Sequence, residues 1–215
     1  MSKNTPDKIA GFKCKQIPCF KPIFKEWIKC VSEIAEDWKP KDVPWWYNER
    51  ASLSVFAGAI WRAGGLCFEE YSDPKRRIGS RNRCFGSVYS GRVDLYFSWR
   101  GFDFIAEAKD TYSGFSRSHD GARARLAHWL EISRQDVRKI PGNGQRKLAI
   151  LFARPFFKKS CKSQIDEKLN QWVEILQGLD TNAYAWVFPP CARHIWSSDE
   201  DFCPGEAVLI KEVWR

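Results

Sequence analysis

Apolar residues recur at helical spacing in several stretches of the chain. The clearest is residues 48–63 (NERASLSVFAGAIWRA), where Asn48 can cap the first turn and Gly64 can end the helix. The apolar stripe of that helix consists of Leu53, Phe56, Ala57 and Ile60. The same spacing predicts three further helices, at residues 22–38, 120–139 and 163–178.

Other segments alternate apolar and polar residues or form short apolar runs, which predict strands. They are residues 66–71, 87–99, 102–109, 147–153, 183–188 and 207–213. The two runs that flank Arg100 and Gly101 predict a β-hairpin. The element order of helix, three strands, helix and strand, with additions at both ends, predicts an α/β fold with a mixed central sheet flanked by helices.

No repeat or Gly/Ser linker divides the 215 residues, so a single domain is predicted. Residues 1–45 form its basic N-terminal arm and helix, with residues 1–19 loosely held. Residues 46–154 form the core, and residues 155–215 extend the sheet through a helix and strands.

The net charge of +9 indicates a polyanionic partner. Nucleic acid is the first candidate and anionic lipid the second, but the basic residues are spread over several loops and helices rather than gathered on one amphipathic helix. No apolar run is long enough for a membrane span or a signal peptide, so we expect a cytoplasmic protein without a membrane partner.

The eight cysteines fit reduced, buried thiols better than disulfides in that compartment. Two clusters leave zinc as an alternative, although neither has the paired spacing of a zinc finger. They are Cys14 with Cys19, and Cys191 with His194 and Cys203.

Two acidic residues are predicted to face each other in the hairpin. If the strands fold back around Arg100-Gly101, residues whose numbers sum to 201 are opposed, and Asp94 and Glu107 satisfy that sum. Opposed carboxylates need a shared proton or a cation between them. Mg²⁺ prefers oxygen ligands and also binds phosphate, so these residues predict a magnesium site.

Positive side chains lie beside this pair in the predicted hairpin. The period of two places Lys109 on the face of Glu107 and opposite Arg92, where the two cations could hold a phosphate. Glu49 lies on the inward stripe of the helix at residues 48–63. Its carboxylate either joins the site or remains in the exposed first turn, where it would favour the helix dipole.

With these residues in place, the chain resembles the PD-(D/E)xK phosphodiesterase superfamily, the restriction-endonuclease-like nucleases. Residues 48–154 carry the resemblance through the helix with Glu49, GRVDLYF with Asp94, FIAEAKD with Glu107 and Lys109, a helix, and KLAILFA. The implied core is αβββαβ. Val93 stands where the name of the superfamily has proline, a departure that is common among members.

The resemblance implies roles for these residues. Asp94 and Glu107 would bind Mg²⁺, or Mn²⁺ as a substitute, with the carbonyl of Ala108 as a further ligand. Glu49 would support the metal or its water shell, and Lys109 would help to position the attacking water. Some members also use a glutamine on the next helix, where Gln135 is available although it falls opposite the apolar stripe.

Basic residues near the predicted hairpin are candidates for binding the nucleic-acid backbone. They are Lys75, Arg76, Arg77, Arg81, Arg83, Arg92, Arg117, Arg123 and Arg125. Trp45, Trp46 and Trp99 are candidates for stacking on bases or docking a partner.

The sequence therefore predicts a Mg²⁺-dependent nuclease that acts on DNA. An endonuclease is the expected form and an exonuclease the alternative. A catalytically inactive nucleic-acid-binding module, or a nuclease subunit of a larger complex, is the second hypothesis. Since little chain remains beyond the core for a separate sequence-reading domain, a homodimer or a protein partner would supply specificity.

Overall fold

The computed structural model describes residues 9–38, 42–76, 88–114, 119–141, 144–194 and 201–214. Within them the chain forms four α-helices, α1 to α4, at Lys21–Asp37, Glu49–Arg62, His119–Arg138 and Ile165–Gln177. Its eight strands, β1 to β8, are Ala10–Cys14, Leu66–Arg76, Val88–Trp99, Phe102–Gly114, Arg146–Lys158, Ala183–Val187, Asp201–Phe202 and Glu206–Val213. Short 3₁₀ helices lie at Pro18–Phe20, Pro44–Trp46, Lys159–Gln164 and Pro190–Ala192.

The eight strands form a mixed sheet. Seven of them follow the order β1-β6-β8-β5-β4-β3-β2, and β7 pairs with β5. Strands β4 and β5 are parallel, and α3 connects them, whereas the other pairs are antiparallel. The predicted α/β class with a mixed sheet is confirmed.

Helices cover the sheet on both faces. The first apolar core joins α1 and α2 to one face, and Leu95, Phe104 and Ile150 point into it. The second core joins α3 and α4 to the other face, and Ile105 and Leu151 point into that one. Alternate residues of β4 and β5 therefore enter different cores, as the period of two of a strand requires.

The prediction for α2 is confirmed in its details. The Asn48 side chain accepts a hydrogen bond from the Ala51 N–H, and the helix begins at Glu49. All four residues of the predicted stripe, Leu53, Phe56, Ala57 and Ile60, are buried. The first turn of α2, which carries Glu49, is thereby fixed over the sheet.

The hairpin between β3 and β4 also forms as predicted. Arg100 and Gly101 have φ angles of 51° and 79°, the left-handed pair that a two-residue hairpin turn requires. Pairing runs from Trp99–Phe102 to Leu95–Ala106, so each pair sums to 201.

Three expectations need correction. The predicted loose arm is wrong for the described residues 9–19, because Ala10–Cys14 forms a strand beside β6, and Ile17 and Phe20 are buried. In α1 the helical spacing of Phe24, Ile28, Val31 and Ile34 predicts the buried stripe, but the buried side includes Trp27 and Ala35, and Ile28 and Ile34 are half-exposed. The strand predicted to end at residue 71 continues to Arg76, into the basic segment at residues 73–84 that the sequence predicts as a loop. None of the helices that the structure describes is long and apolar enough to cross a membrane.

Candidate active site

The candidate site lies where β3 and β4 part. Their pairing ends at Leu95–Ala106, so Asp94 and Glu107 lie one residue beyond the last pair. The Asp94 carboxylate accepts a hydrogen bond from the backbone N–H of Ala108 (Oδ2 to N, 2.8 Å). The expectation of a directly opposed pair in the ladder is therefore wrong, although the two strands still bring both acids to one place.

The pleat of β3 changes at Asp94. Val93 packs into the core with α3, whereas Leu95, two residues later, packs into the core with α1 and α2. On the neighbouring strand β2, Glu70 is opposite Asp94, between the pairs Glu69–Leu95 and Tyr71–Val93. Glu70 has a φ of 52°, in the left-handed region. Strand β3 is thus irregular at Asp94, and strand β2 is irregular at the opposite residue, Glu70.

Glu107 is a nearly buried carboxylate with only 4% of its surface exposed. Burial and the nearby charge of Asp94 raise its pKa to about 7. Lys75 opposes that shift through an ion pair with a distance of 2.6 Å between its Nζ and Glu107 Oε1. The aliphatic chain of Lys75 crosses Gly91, where an added Cβ would lie 2.6 Å from Lys75 Cδ.

Lys109 lies among acidic groups. Its Nζ donates a hydrogen bond to the Ala108 carbonyl at 2.8 Å and forms an ion pair with Asp136 Oδ2 at 3.3 Å. Burial acts to lower the pKa of Lys109, but the carboxylates of Glu49, Asp94 and Asp136 outweigh it, and the pKa is raised. The lysine is therefore charged at neutral pH.

Glu49, in the first turn of α2, is close enough to interact with this cluster. Burial raises its pKa to about 7, Lys109 opposes the shift, and the charges of Asp94, Asp110 and Glu107 add to it. The structure therefore places the four predicted catalytic side chains, Glu49, Asp94, Glu107 and Lys109, within range of one another's charges.

The donor set has the chemistry that Mg²⁺ uses. Among the described residues, no group of three or more His, Cys, Asp or Glu side chains is arranged to hold a metal ion, and the support of the metal by Glu49 stays a prediction. Two carboxylates, from Asp94 and Glu107, and the carbonyl of Ala108 remain. Mg²⁺ usually binds through one or two carboxylates and keeps several waters. The buried Glu107 beside a second carboxylate is also an environment that favours a cation.

Some of the predicted phosphate-binding residues lie at the candidate site, and others do not. Lys75 lies inside the site, and the Arg125 Nε donates to Thr111 Oγ1 at 3.0 Å, two residues beyond Lys109 on β4. Arg92 forms an ion pair with Glu70 and does not face Lys109. Arg123 is turned towards the end of α4, where it donates to the Gly178 carbonyl. Outside the described part lie the side chain of Arg76 and the residues Arg77, Arg81, Arg83 and Arg117.

On α3 the residue that contacts the candidate site is Asp136 and not the expected Gln135. Gln135 is exposed and donates to Glu131 at 3.4 Å, whereas its neighbour Asp136 contacts Lys109. Ser133, one turn earlier on the same side, is buried and donates to the Glu107 carbonyl at 2.6 Å. The spacing of Ser133, Asp136 and the buried Ile140 is the sequence signal that marks this face.

A buried ionic network that the sequence did not reveal lies near the site. Arg154 of β5 is fully buried and contacts Asp110 at 2.7 Å, Glu206 at 3.3 Å and Ser52 at 3.1 Å. The Ser52 hydroxyl also donates to Glu206. Because Ser52 lies one turn after Glu49, the network ties the start of α2 to β4, β5 and β8.

The remaining candidates have structural roles. Trp45 and Trp99 are buried and donate to the carbonyls of Cys203 and Cys19, so the expectation that they stack on bases is wrong. Trp46 is half-buried. The seven cysteines in the described residues are free thiols. The zinc alternative receives no support there, because the described residues contain no group of three or more His, Cys, Asp or Glu side chains that could hold a metal ion.

Comparisons of the chain with family models, with curated proteins and with solved structures give no match. The function proposed below therefore rests on the residues and on their geometry.

Proposed function

We propose that the protein is a Mg²⁺-dependent nuclease that hydrolyses phosphodiester bonds in DNA, with a restriction-endonuclease-like core. The observation that carries the proposal is the meeting of Asp94 and Glu107 at the point where β3 and β4 part, with Lys109 and Glu49 beside them. The order α2, β2, β3, β4, α3, β5 agrees with the αβββαβ core.

Asp94, Glu107 and the Ala108 carbonyl are the groups that would hold the metal. When bound, Mg²⁺ would polarise a phosphate oxygen and lower the pKa of a coordinated water. The Ala108 N–H fixes the Asp94 carboxylate, and Ser133 fixes the backbone of Glu107 from α3. The ligands are therefore held by the sheet and by a helix before any ion arrives.

Lys109 supplies a charged ammonium group at the same place. It is held by the Ala108 carbonyl and by Asp136, so its Nζ stays close to the ligands. From there it orients the attacking water and stabilises the negative charge that develops on the phosphate. The charge of Glu49 helps to raise the pKa of Lys109, and its carboxylate would accept a hydrogen bond from a water bound in the site.

DNA is the proposed substrate because the chain carries a net charge of +9 and cations border the site. Lys75 reaches Glu107, and Arg125 lies by Thr111 near the end of β4. The exposed Arg125 suits a contact to a backbone phosphate next to the cleaved bond.

A DNA-binding module without catalysis is the second candidate. The ion pair between Lys75 and Glu107 favours it, because a lysine already neutralises one of the two proposed ligands. Such a module would bind DNA with the salt dependence of phosphate contacts and would give no metal-dependent product.

Incubation of the purified protein with supercoiled plasmid and with linear duplex, each in Mg²⁺, Mn²⁺ or EDTA, separates the two candidates. The nuclease cuts in either metal and not in EDTA, and the Glu107→Gln variant does not cut. Cutting of the circular plasmid identifies an endonuclease. Salt-sensitive binding without a product in any condition would support the binding module instead.

A further inference from the structure

Two arginines next to the candidate site contact the carboxylate of Glu70. Arg50 Nε lies 2.6 Å from Glu70 Oε1, and Arg92 Nη1 lies 3.1 Å from Glu70 Oε2. Arg50 directly follows Glu49 on α2, and Arg92 lies two residues before Asp94 on β3. The cluster of Arg50, Glu70 and Arg92 thus joins three elements around the site.

The backbone at Glu70 is unusual. Its φ of 52° is a conformation that side chains other than glycine, asparagine and aspartate rarely adopt. Glu70 is also opposite Asp94, at the position where the pairing of β2 with β3 skips one residue pair. Strained residues that persist near a site are candidates for a functional role.

Stability does not account for this arrangement. Arg50 and Arg92 are 60% and 58% exposed, and exposed ion pairs contribute little to folding. A geometry that is strained and gains little from its ion pairs needs another reason, and the position beside two candidate catalytic acids supplies one.

The exposed parts of the two arginines are suited to binding phosphate. Arg50 Nε and Arg92 Nη1 contact different oxygens of the Glu70 carboxylate. A guanidinium group has five N–H donors, so each arginine keeps donors that can bind a phosphate oxygen. Two guanidinium groups and one carboxylate also leave a net charge of +1.

We propose that Arg50 and Arg92 form a binding subsite for one backbone phosphate of DNA beside the cleaved bond, and that Glu70 is the positioning residue that holds the two guanidinium groups in place. This inference rests on the proposed function. It assigns a role to Arg50 and to Glu70 and gives Arg92 a specific partner in phosphate binding.

Glu70→Gln tests the inference, because an effect of net charge and a loss of arginine positioning change the affinity for DNA in opposite directions. The variant removes one negative charge from a protein of net charge +9, so a subsite that depended on charge alone would bind DNA more tightly. If Glu70 positions the arginines, binding to a labelled duplex in EDTA weakens about five-fold, and the slope of log K against log salt falls by about one.

Glu69→Gln is the matched control. Glu69 is the preceding residue on β2, is exposed, and accepts a hydrogen bond from Ser54 at 2.8 Å. The charge change is the same, and we expect binding to stay equal or become tighter. If Glu70→Gln bound DNA as Glu69→Gln does, the positioning role would be refuted.

Arg50→Gln and Arg92→Gln should each weaken DNA binding as Glu70→Gln does. Because both arginines bind one phosphate, the double variant should reduce the slope of log K against log salt by no more than about one. Arg62→Gln provides the control on α2. Arg62 is 49% exposed and pairs with Glu33, so its loss should leave the slope unchanged. Independent, additive losses would contradict a shared subsite.

If Glu70→Gln folds poorly, DNA binding is measured with Glu70→Gly instead. Glycine removes the carboxylate and adopts the left-handed backbone at this position without strain. A stable Glu70→Gly protein that binds DNA like the wild type would overturn the inference. If the wild type cuts DNA and none of these variants weakens binding, only this inference fails. If the wild type neither binds nor cuts, the proposed function fails as well.

Discussion

Lys75 and Glu107 form an ion pair in which both side chains are nearly buried, with exposed fractions of 12% and 5% and a distance of 2.6 Å from Nζ to Oε1. This pair supplies a positive charge next to a proposed metal ligand. Because a buried charge that loses its partner is costly, the pair should contribute to stability in the absence of metal.

We expect Lys75→Met to lower the free energy of unfolding by about 3 kcal/mol in EDTA at pH 8. Urea denaturation followed by tryptophan fluorescence measures the change. Adding Glu107→Gln to Lys75→Met should restore most of the lost stability, because no unpaired carboxylate then remains. Equal stability of Lys75→Met and the wild type would show that the pair contributes nothing.

Gly91→Ala tests the same pair without removing a charge. The added methyl group would lie 2.6 Å from Lys75 Cδ and would push the lysine away from Glu107. We expect Gly91→Ala to lower the free energy of unfolding by less than Lys75→Met does. In a protein that already carries Lys75→Met, Gly91→Ala should cause little further loss. A loss that persists in the Lys75→Met background would indicate a backbone effect.

The stability of the metal-free protein should decrease between pH 5 and pH 7. The pKa values of Glu49 and Glu107 are raised from 4.5 to about 7 in the folded chain. The folded state therefore binds more protons than the unfolded state in this window, and its stability falls as pH rises through it. We expect a decrease of about 1–3 kcal/mol across the window in EDTA.

The Glu107→Gln variant identifies the source of that pH dependence. Glutamine does not titrate, so the curve of unfolding free energy against pH should become flatter. A curve that rises over the same pH range, or one that Glu107→Gln leaves unchanged, would contradict the raised pKa values.

Replacing Arg154 should destabilise the fold strongly. The side chain is fully buried between Asp110 and Glu206, and its removal would leave two carboxylates unpaired. Arg154→Met should lower the free energy of unfolding by about 3–5 kcal/mol. Arg62→Met, which removes an exposed pair with Glu33, should change it far less. Equal effects of the two substitutions would show that burial of the network does not matter.

Much of the site could be predicted from the sequence because its signals are local. The cap at Asn48 and the stripe of α2 fix the direction of Glu49. The turn at Arg100-Gly101 fixes the register of β3 and β4, which brings Asp94 near Glu107. Both features depend on residues within about one element of each other.

The remaining contacts join residues that are distant in the chain. Arg154 pairs with Asp110 and Glu206, which lie 44 and 52 positions away, and no local spacing predicts such partners. The pleat change at Asp94 depends on the neighbouring strand as well, where Glu70 adopts a left-handed backbone. Lys75 reaches Glu107 only because β2 continues past the expected end and Gly91 leaves room.

The single-turnover cleavage rate of Asp94→Asn tests most directly whether Asp94, Glu107 and Lys109 cleave DNA with a divalent metal. Asp103→Asn is the matched control, since Asp103 lies on the same hairpin, is exposed and accepts a hydrogen bond from Tyr96. We predict that the wild type and Asp103→Asn cut DNA in Mg²⁺ at similar rates, whereas Asp94→Asn folds normally and does not cut. Cleavage by Asp94→Asn at the wild-type rate would contradict the claim.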